Sequence, residues 1–124
     1  MIATEDRNII LTQDHSELFV WGGNERGQLG LGHYQDVFVP TKVDFFAKNK
    51  LKVTSIAAGG NLTLASCENG VAFAWPFVKL NQKYSIPVQM PFSEKIKIQR
   101  VSCGYNFGFF ISQQGLVYAV GKDN

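Results

Sequence analysis

The chain has 124 residues, with 12 Lys and Arg against 10 Asp and Glu. A net charge of +2 is too weak to mark a nucleic-acid or anionic-membrane surface. Its ordinary apolar and charged contents exclude a disordered chain, and no run approaches the length of a transmembrane helix.

In chain order, the opening Met1 to Arg7 lacks the apolar stretch of a secretory signal. Asp14-His15-Ser16 reads as a turn, and Ser16 to Trp21 as the strand after it. A glycine-rich loop then runs from Gly22 to Gly32. Val43 to Leu51 fits a turn of helix or a loop equally well. Lys50-Leu51-Lys52-Val53 alternates polar and apolar, as a half-buried strand does. Leu62 to Ala65 is a short apolar run that suits a more buried strand. Asn69-Gly70 after it is a hairpin signal, because glycine supplies the positive φ of the turn. The same order returns with Lys95 to Ile98, Phe107 to Ile111 and Gln114-Gly115.

That return is an internal repeat. Lys52 to Asn61 matches Lys97 to Asn106, and Asn69 to Ala74 matches Gln114 to Ala119, both at a spacing of 45. Ser16 to Trp21 matches Gly70 to Trp75 at a spacing of 54. Loop length therefore varies while the strands do not. Short strands in such repeats, joined by glycine turns, imply all-β propeller blades that must stack on neighbours.

Twelve consecutive residues, Trp21 to Gly32, read WGGNERGQLGLG. They resemble the WGxNxxGQLGxG motif of the regulator of chromosome condensation repeat. Pro40-Thr41-Lys42-Val43, Ile56 to Gly60, Val101 to Tyr105 and Gly115 to Gly121 resemble other segments of that repeat. The resemblance implies a β-propeller of that type, with this chain an incomplete ring and a fragment of a longer protein. The expected units are the last strands of a first unit at 1–21, a second unit at 22–75 and a third, degenerate unit at 76–121. The start of a further unit is expected at 122–124. Pro76 stands where the second copy would begin its glycine loop, so a shorter or rerouted connection is expected there. The family's histidine after C-G-x-x is replaced by Leu62 and Phe107.

Trp21, Gly22, Gly27, Gln28, Leu29, Gly30, Gly59, Trp75, Gly104 and Gly115 are expected to be structural, with Trp21 and Leu29 as anchors between blades. The loop is not a phosphate cradle. Gln28-Leu29 stand where a P-loop needs lysine and a hydroxyl. His15 and His33 have no partner at metal-ligand spacing. Asp44, Glu68 and Glu94 are isolated carboxylates, and Ser55, Ser66 and Ser102 lack a nucleophile elbow. Lys48, Lys50 and Lys52, and again Lys95, Lys97 and Arg100, form a solvated basic stretch that shields a sheet edge. Cys67 and Cys103 are expected to be reduced thiols of a cytoplasmic or nuclear protein.

The reading is a non-enzymatic protein-interaction scaffold, with no catalytic residues, no metal and no cofactor. Arg26, His33 and Tyr34 are the candidate partner-binding residues. Expected partners are a small GTPase, the remaining blades of the propeller, or a second copy of the chain. No membrane or nucleic-acid partner is expected. Guanine-nucleotide exchange and chromatin binding, which the resemblance also implies, are the alternatives.

Overall fold

A computed structural model describes residues 2–121 apart from 5, 16, 61, 80, 81 and 106. The expected start of a further unit at 122–124 lies outside the described residues. Strands β1 (Ile2–Ala3), β2 (Arg7–Leu11), β3 (Leu18–Gly22) and β4 (Val37–Lys42) form one antiparallel sheet in that order. Helix α1 (Asp44–Lys48) leads to β5 (Val53–Ala58), β6 (Thr63–Cys67) and β7 (Ala72–Trp75). A small hairpin, β8 (Phe77–Lys79) with β9 (Gln82–Tyr84), precedes β10 (Val88–Gln89), and the second sheet runs β10-β7-β6-β5. The third sheet is β11 (Ile98–Cys103), β12 (Phe107–Ser112) and β13 (Val117–Gly121).

The sheets are copies of one another down to single hydrogen bonds. Thr4 N–H donates to Arg7 O at 2.9 Å, Gly59 to Leu62 at 2.8 Å and Gly104 to Phe107 at 2.7 Å. The β2–β3, β6–β7 and β12–β13 hairpins close with N–H bonds from His15, Gly70 and Gly115. All three of these residues have positive φ, at 60°, 88° and 87°. The first hairpin carries one more residue. Its next bond runs from Thr12 N–H to Glu17 O, whereas Cys67 pairs with Val71 and Ser112 with Leu116.

Strand alternation gives each sheet two faces. One face of the first sheet carries Ile9, Leu18 and Val20. It packs against Ala65, Phe73 and Trp75 of the second. The other face of the second sheet carries Leu62, Leu64, Ala72 and Ala74. It packs against Val101 and Phe110 of the third, with Tyr118 and Val120 at the margin. The stretch 22–75 thus spans two sheets, with β4 in the first and β5, β6 and β7 in the second.

Three expectations meet a definite outcome. Residues 43–51 resolve into a five-residue helix because Phe45 and Phe46 are drawn into the first core, meeting Phe73 edge-on at 5.4 and 5.3 Å. Asp44 in its first turn and Lys48 in its last match the helix dipole. The strands expected from Lys50 and Lys95 begin only at Val53 and Ile98. Lys50 sits in the turn after the helix at φ 56°, so the lysines do not form a strand-face stripe. Trp21 is half-buried and lies in neither core, although its equivalent Trp75 is fully buried, because among the described residues no sheet covers that face of the first sheet.

Candidate functional site: the glycine loop and the seam beside it

The link from β3 to β4 is held from inside by a buried asparagine. Asn24 Nδ2 donates to His33 O at 2.9 Å and to Gln35 O at 3.0 Å. Its Oδ1 accepts from Leu29 N–H at 3.0 Å, and its own N–H donates to Asp36 at 2.8 Å. One side chain therefore satisfies backbone groups across the loop that water would otherwise serve. Gln28, also buried, accepts from Arg26 N–H at 2.9 Å and donates to Asp6 at 2.9 Å. Leu29 is fully buried, and Gly30 lies against the Trp75 indole, where a Cβ would fall 2.9 Å from Nε1.

Gly27 adopts φ +82°, and a Cβ there would stand 2.9 Å from Ser85 Cα. Ser85 belongs to the link that replaces the glycine loop in the second sheet, and Gly32 N–H donates to Ser85 O at 3.0 Å. The two links thereby lock together. Tyr34, 44% exposed, and Ile86, 43% exposed, stand beside Gly27 and Gly32 on the outside of this junction. Arg26 and His33 are exposed on the same loop. His33 Nδ1 accepts from Gln35 N–H at 3.1 Å. Gly22 adopts φ +121° against Arg7 at the loop entrance, whereas a Cβ on Gly115 would meet nothing within 4 Å.

The loop is tied to the seam between the first two sheets through Asp6 and Arg7. Arg7 is buried, and its guanidinium donates at 2.8 Å to Leu62 O and to Thr63 Oγ1 across the seam. It also pairs with Asp6 at 3.0 Å. Burial lowers the Arg7 pKa, and Asp6 offsets that only in part. Partial burial works to raise the Asp6 pKa. Hydrogen bonds from Gln28 and Thr4, with the charge of Arg7, outweigh it and hold the carboxyl below its ordinary value. Arg7 occupies in the first sheet the place that Leu62 and Phe107 occupy in the others. Sequence comparison missed it because Thr4 stands where the later copies have Gly59 and Gly104, so no glycine marks the position.

Burial pushes the Cys67 thiol up to about 12 and the Cys103 thiol up to about 11, so both are protonated near neutral pH. Among the described residues, no group of three or more His, Cys, Asp or Glu side chains is placed to hold a metal. Among them, too, no helix is long and apolar enough to cross a membrane.

A family model described as the regulator of chromosome condensation (RCC1) repeat matches residues 15–66, from the first hairpin turn to the end of β6. Over those residues the chain carries a regulator of chromosome condensation repeat. It is 28% identical over 127 residues to the ultraviolet-B receptor UVR8 of Arabidopsis thaliana, across 97% of this chain and 28% of the receptor. It is 28% identical over 118 residues to the secretion-regulating guanine nucleotide exchange factor of Mus musculus, across 86% of this chain and 24% of that factor. The crystal structure of human WBSCR16 superposes with a TM-score of 0.83 at 27% identity, over 96% of this chain and 31% of that one. The chain thus spans less than a third of each of these relatives. In these terms the three sheets are consecutive blades of an incomplete propeller, and the Asn24 loop is the connection that the repeat's glycines shape.

Proposed function

We propose that these repeats form a non-catalytic protein-interaction scaffold inside the cell, with the Asn24 loop as its recognition surface. The observation that carries this reading is the junction at Ser85. It sets Tyr34 beside Gly27 and Ile86 beside Gly32, both exposed, on a loop that Asn24 and Gln28 hydrogen-bond from within. An exposed aromatic on an ordered loop binds at low entropic cost. Arg26 and His33 beside it offer hydrogen bonds to a protein partner, and Arg and Tyr are the residue types that anchor such interfaces. Two cysteines, neither in a disulfide, support the intracellular placement.

The second reading, guanine-nucleotide exchange on a small GTPase, is favoured by one observation: the mouse relative is named as an exchange factor. Release of labelled GDP from a panel of purified small GTPases separates the two. No acceleration by catalytic amounts of this chain is expected. Acceleration by orders of magnitude would replace the scaffold reading with exchange.

A further inference from the structure

The surface that carries Tyr34 and Ile86 belongs to two blades. Tyr34 stands in the loop between β3 and β4 of the first sheet, and Ile86 in the link that leads to β10 of the second. Gly32 N–H donates to Ser85 O at 3.0 Å, so the two halves touch at the backbone. Their relative position is set by how the first two sheets meet, and each of those sheets has its four strands within the chain.

One carboxylate stands between that surface and the seam. Asp6 Oδ1 accepts from the Arg7 guanidinium at 3.0 Å and from Thr4 Oγ1 at 2.9 Å. Its Oδ2 accepts from Gln28 Nε2 at 2.9 Å. On the seam side, Arg7 reaches Thr63 Oγ1, fully buried at the start of β6. On the loop side, Gln28 Oε1 accepts from Arg26 N–H at 2.9 Å. The Gln28 amide has one productive orientation: turned over, its NH2 would face the Arg26 N–H and its oxygen the Asp6 carboxylate. A backbone donor of the loop is thus joined to a hydroxyl of the next blade through Gln28, Asp6 and Arg7, and Gln28 and Arg7 are buried. Hydrogen bonds that share a charged group in so poorly solvated a place polarise one another.

We propose that Asp6 is a positioning residue that couples the recognition loop to the seam, so that the Tyr34–Ile86 surface keeps its shape only while Arg7 holds Thr63. The functional meaning rests on the loop being the recognition surface; the coupling itself is a property of the free chain. Coupling between two sites is reciprocal. A partner that bridges Tyr34 and Ile86 therefore tightens the Arg7–Thr63 contact by as much as that contact favours the partner.

Hydrogen exchange of the Arg26 amide, followed by NMR, reads the loop end of this chain of bonds. Thr63→Val removes the hydroxyl at the other end, in another blade. It should speed Arg26 exchange by about three- to tenfold, the equivalent of one hydrogen bond, and leave the β12 amides of the third sheet as they were. Thr63→Ser, which keeps the hydroxyl, should restore the wild-type rate. In Asp6→Asn, Thr63→Val should have no further effect at Arg26, because an asparagine side chain cannot accept from both Arg7 and Gln28. Gly108→Ala, which sets a Cβ against Leu64 at the next seam, is the control and should not speed Arg26. Arg7→Lys serves for the seam end if Thr63→Val fails to melt cooperatively. An unchanged Arg26 rate in the seam variant overturns the coupling. So does a rise that the β12 amides share, that survives in Asp6→Asn or that Gly108→Ala reproduces. Failure of the recognition reading shows itself separately, as accelerated GDP release.

Discussion

The guanidinium of Arg7 donates to the hydroxyl of Thr63 at 2.8 Å, a charged hydrogen bond buried between the first two blades. The same group reaches Leu62 O. Arg7→Met would fill similar volume, take this donor from the buried Thr63 hydroxyl and leave Leu62 O with the Gly59 N–H. The expected loss is about 1–3 kcal/mol of stability, read as a lower urea midpoint with unchanged slope. A variant as stable as the wild type would mean that the seam rests on its apolar contacts alone.

Asp6 supplies a pH dependence of known sign. Its folded pKa lies below the ordinary value of 3.8, so its contribution is fully present above that value and is lost as pH falls through the folded pKa. Asp6→Asn should therefore melt earlier than the wild type near neutral pH, and the gap should close below pH 3.8. Parallel melting-temperature profiles down to strong acid would remove Asp6 from the account.

Gly59 lies against the Gly104 carbonyl of the next blade, in the space a Cβ would need. Gly59→Ala must push two backbones apart, and the expected cost is about 1–3 kcal/mol, in the range of overpacking. Gly104→Ala meets only ordinary contacts from Phe107 and should cost less. Equal melting temperatures for the two variants would refute the close approach.

His15 stands at a turn position that the other two hairpins give to Gly70 and Gly115, and its φ is 60°. A side chain in that conformation costs on the order of 1–2 kcal/mol. His15→Gly should raise the melting temperature by relieving it, less the entropy that glycine adds to the unfolded chain. A lower melting temperature would show that the imidazole makes a compensating contact.

Burial holds both thiols protonated in the folded state, at about 12 for Cys67 and about 11 for Cys103 against an ordinary 9.0. A raised thiol pKa means that the unfolded state loses its protons first. Stability should therefore fall as pH rises past 9.0. Alkylation at neutral pH should be slow until the chain is unfolded. Rapid labelling of the native protein would contradict this placement.

Much of the fold is local and could be read directly. Strand alternation, hairpin glycines and the spacing of 45 between copies depend on backbone preferences that a residue carries wherever it stands. Part of the candidate site is legible for the same reason, since Arg26, His33 and Tyr34 follow from the glycine loop. Ser85 and Ile86, which complete that surface, come from a link with no repeat pattern.

Tertiary structure decided what depends on a neighbour. Phe19-Val20-Trp21 and Phe73-Ala74-Trp75 are nearly the same strand, yet Trp75 is buried and Trp21 only half so. Phe45 and Phe46 form a helix rather than a loop because a core beside them takes their rings. Arg7 became a buried cross-seam donor because Thr63 and Leu62 face it from another blade. Burial is a property of a pair of surfaces. A sequence specifies one surface at a time, and only the stacked blades show which of them meet.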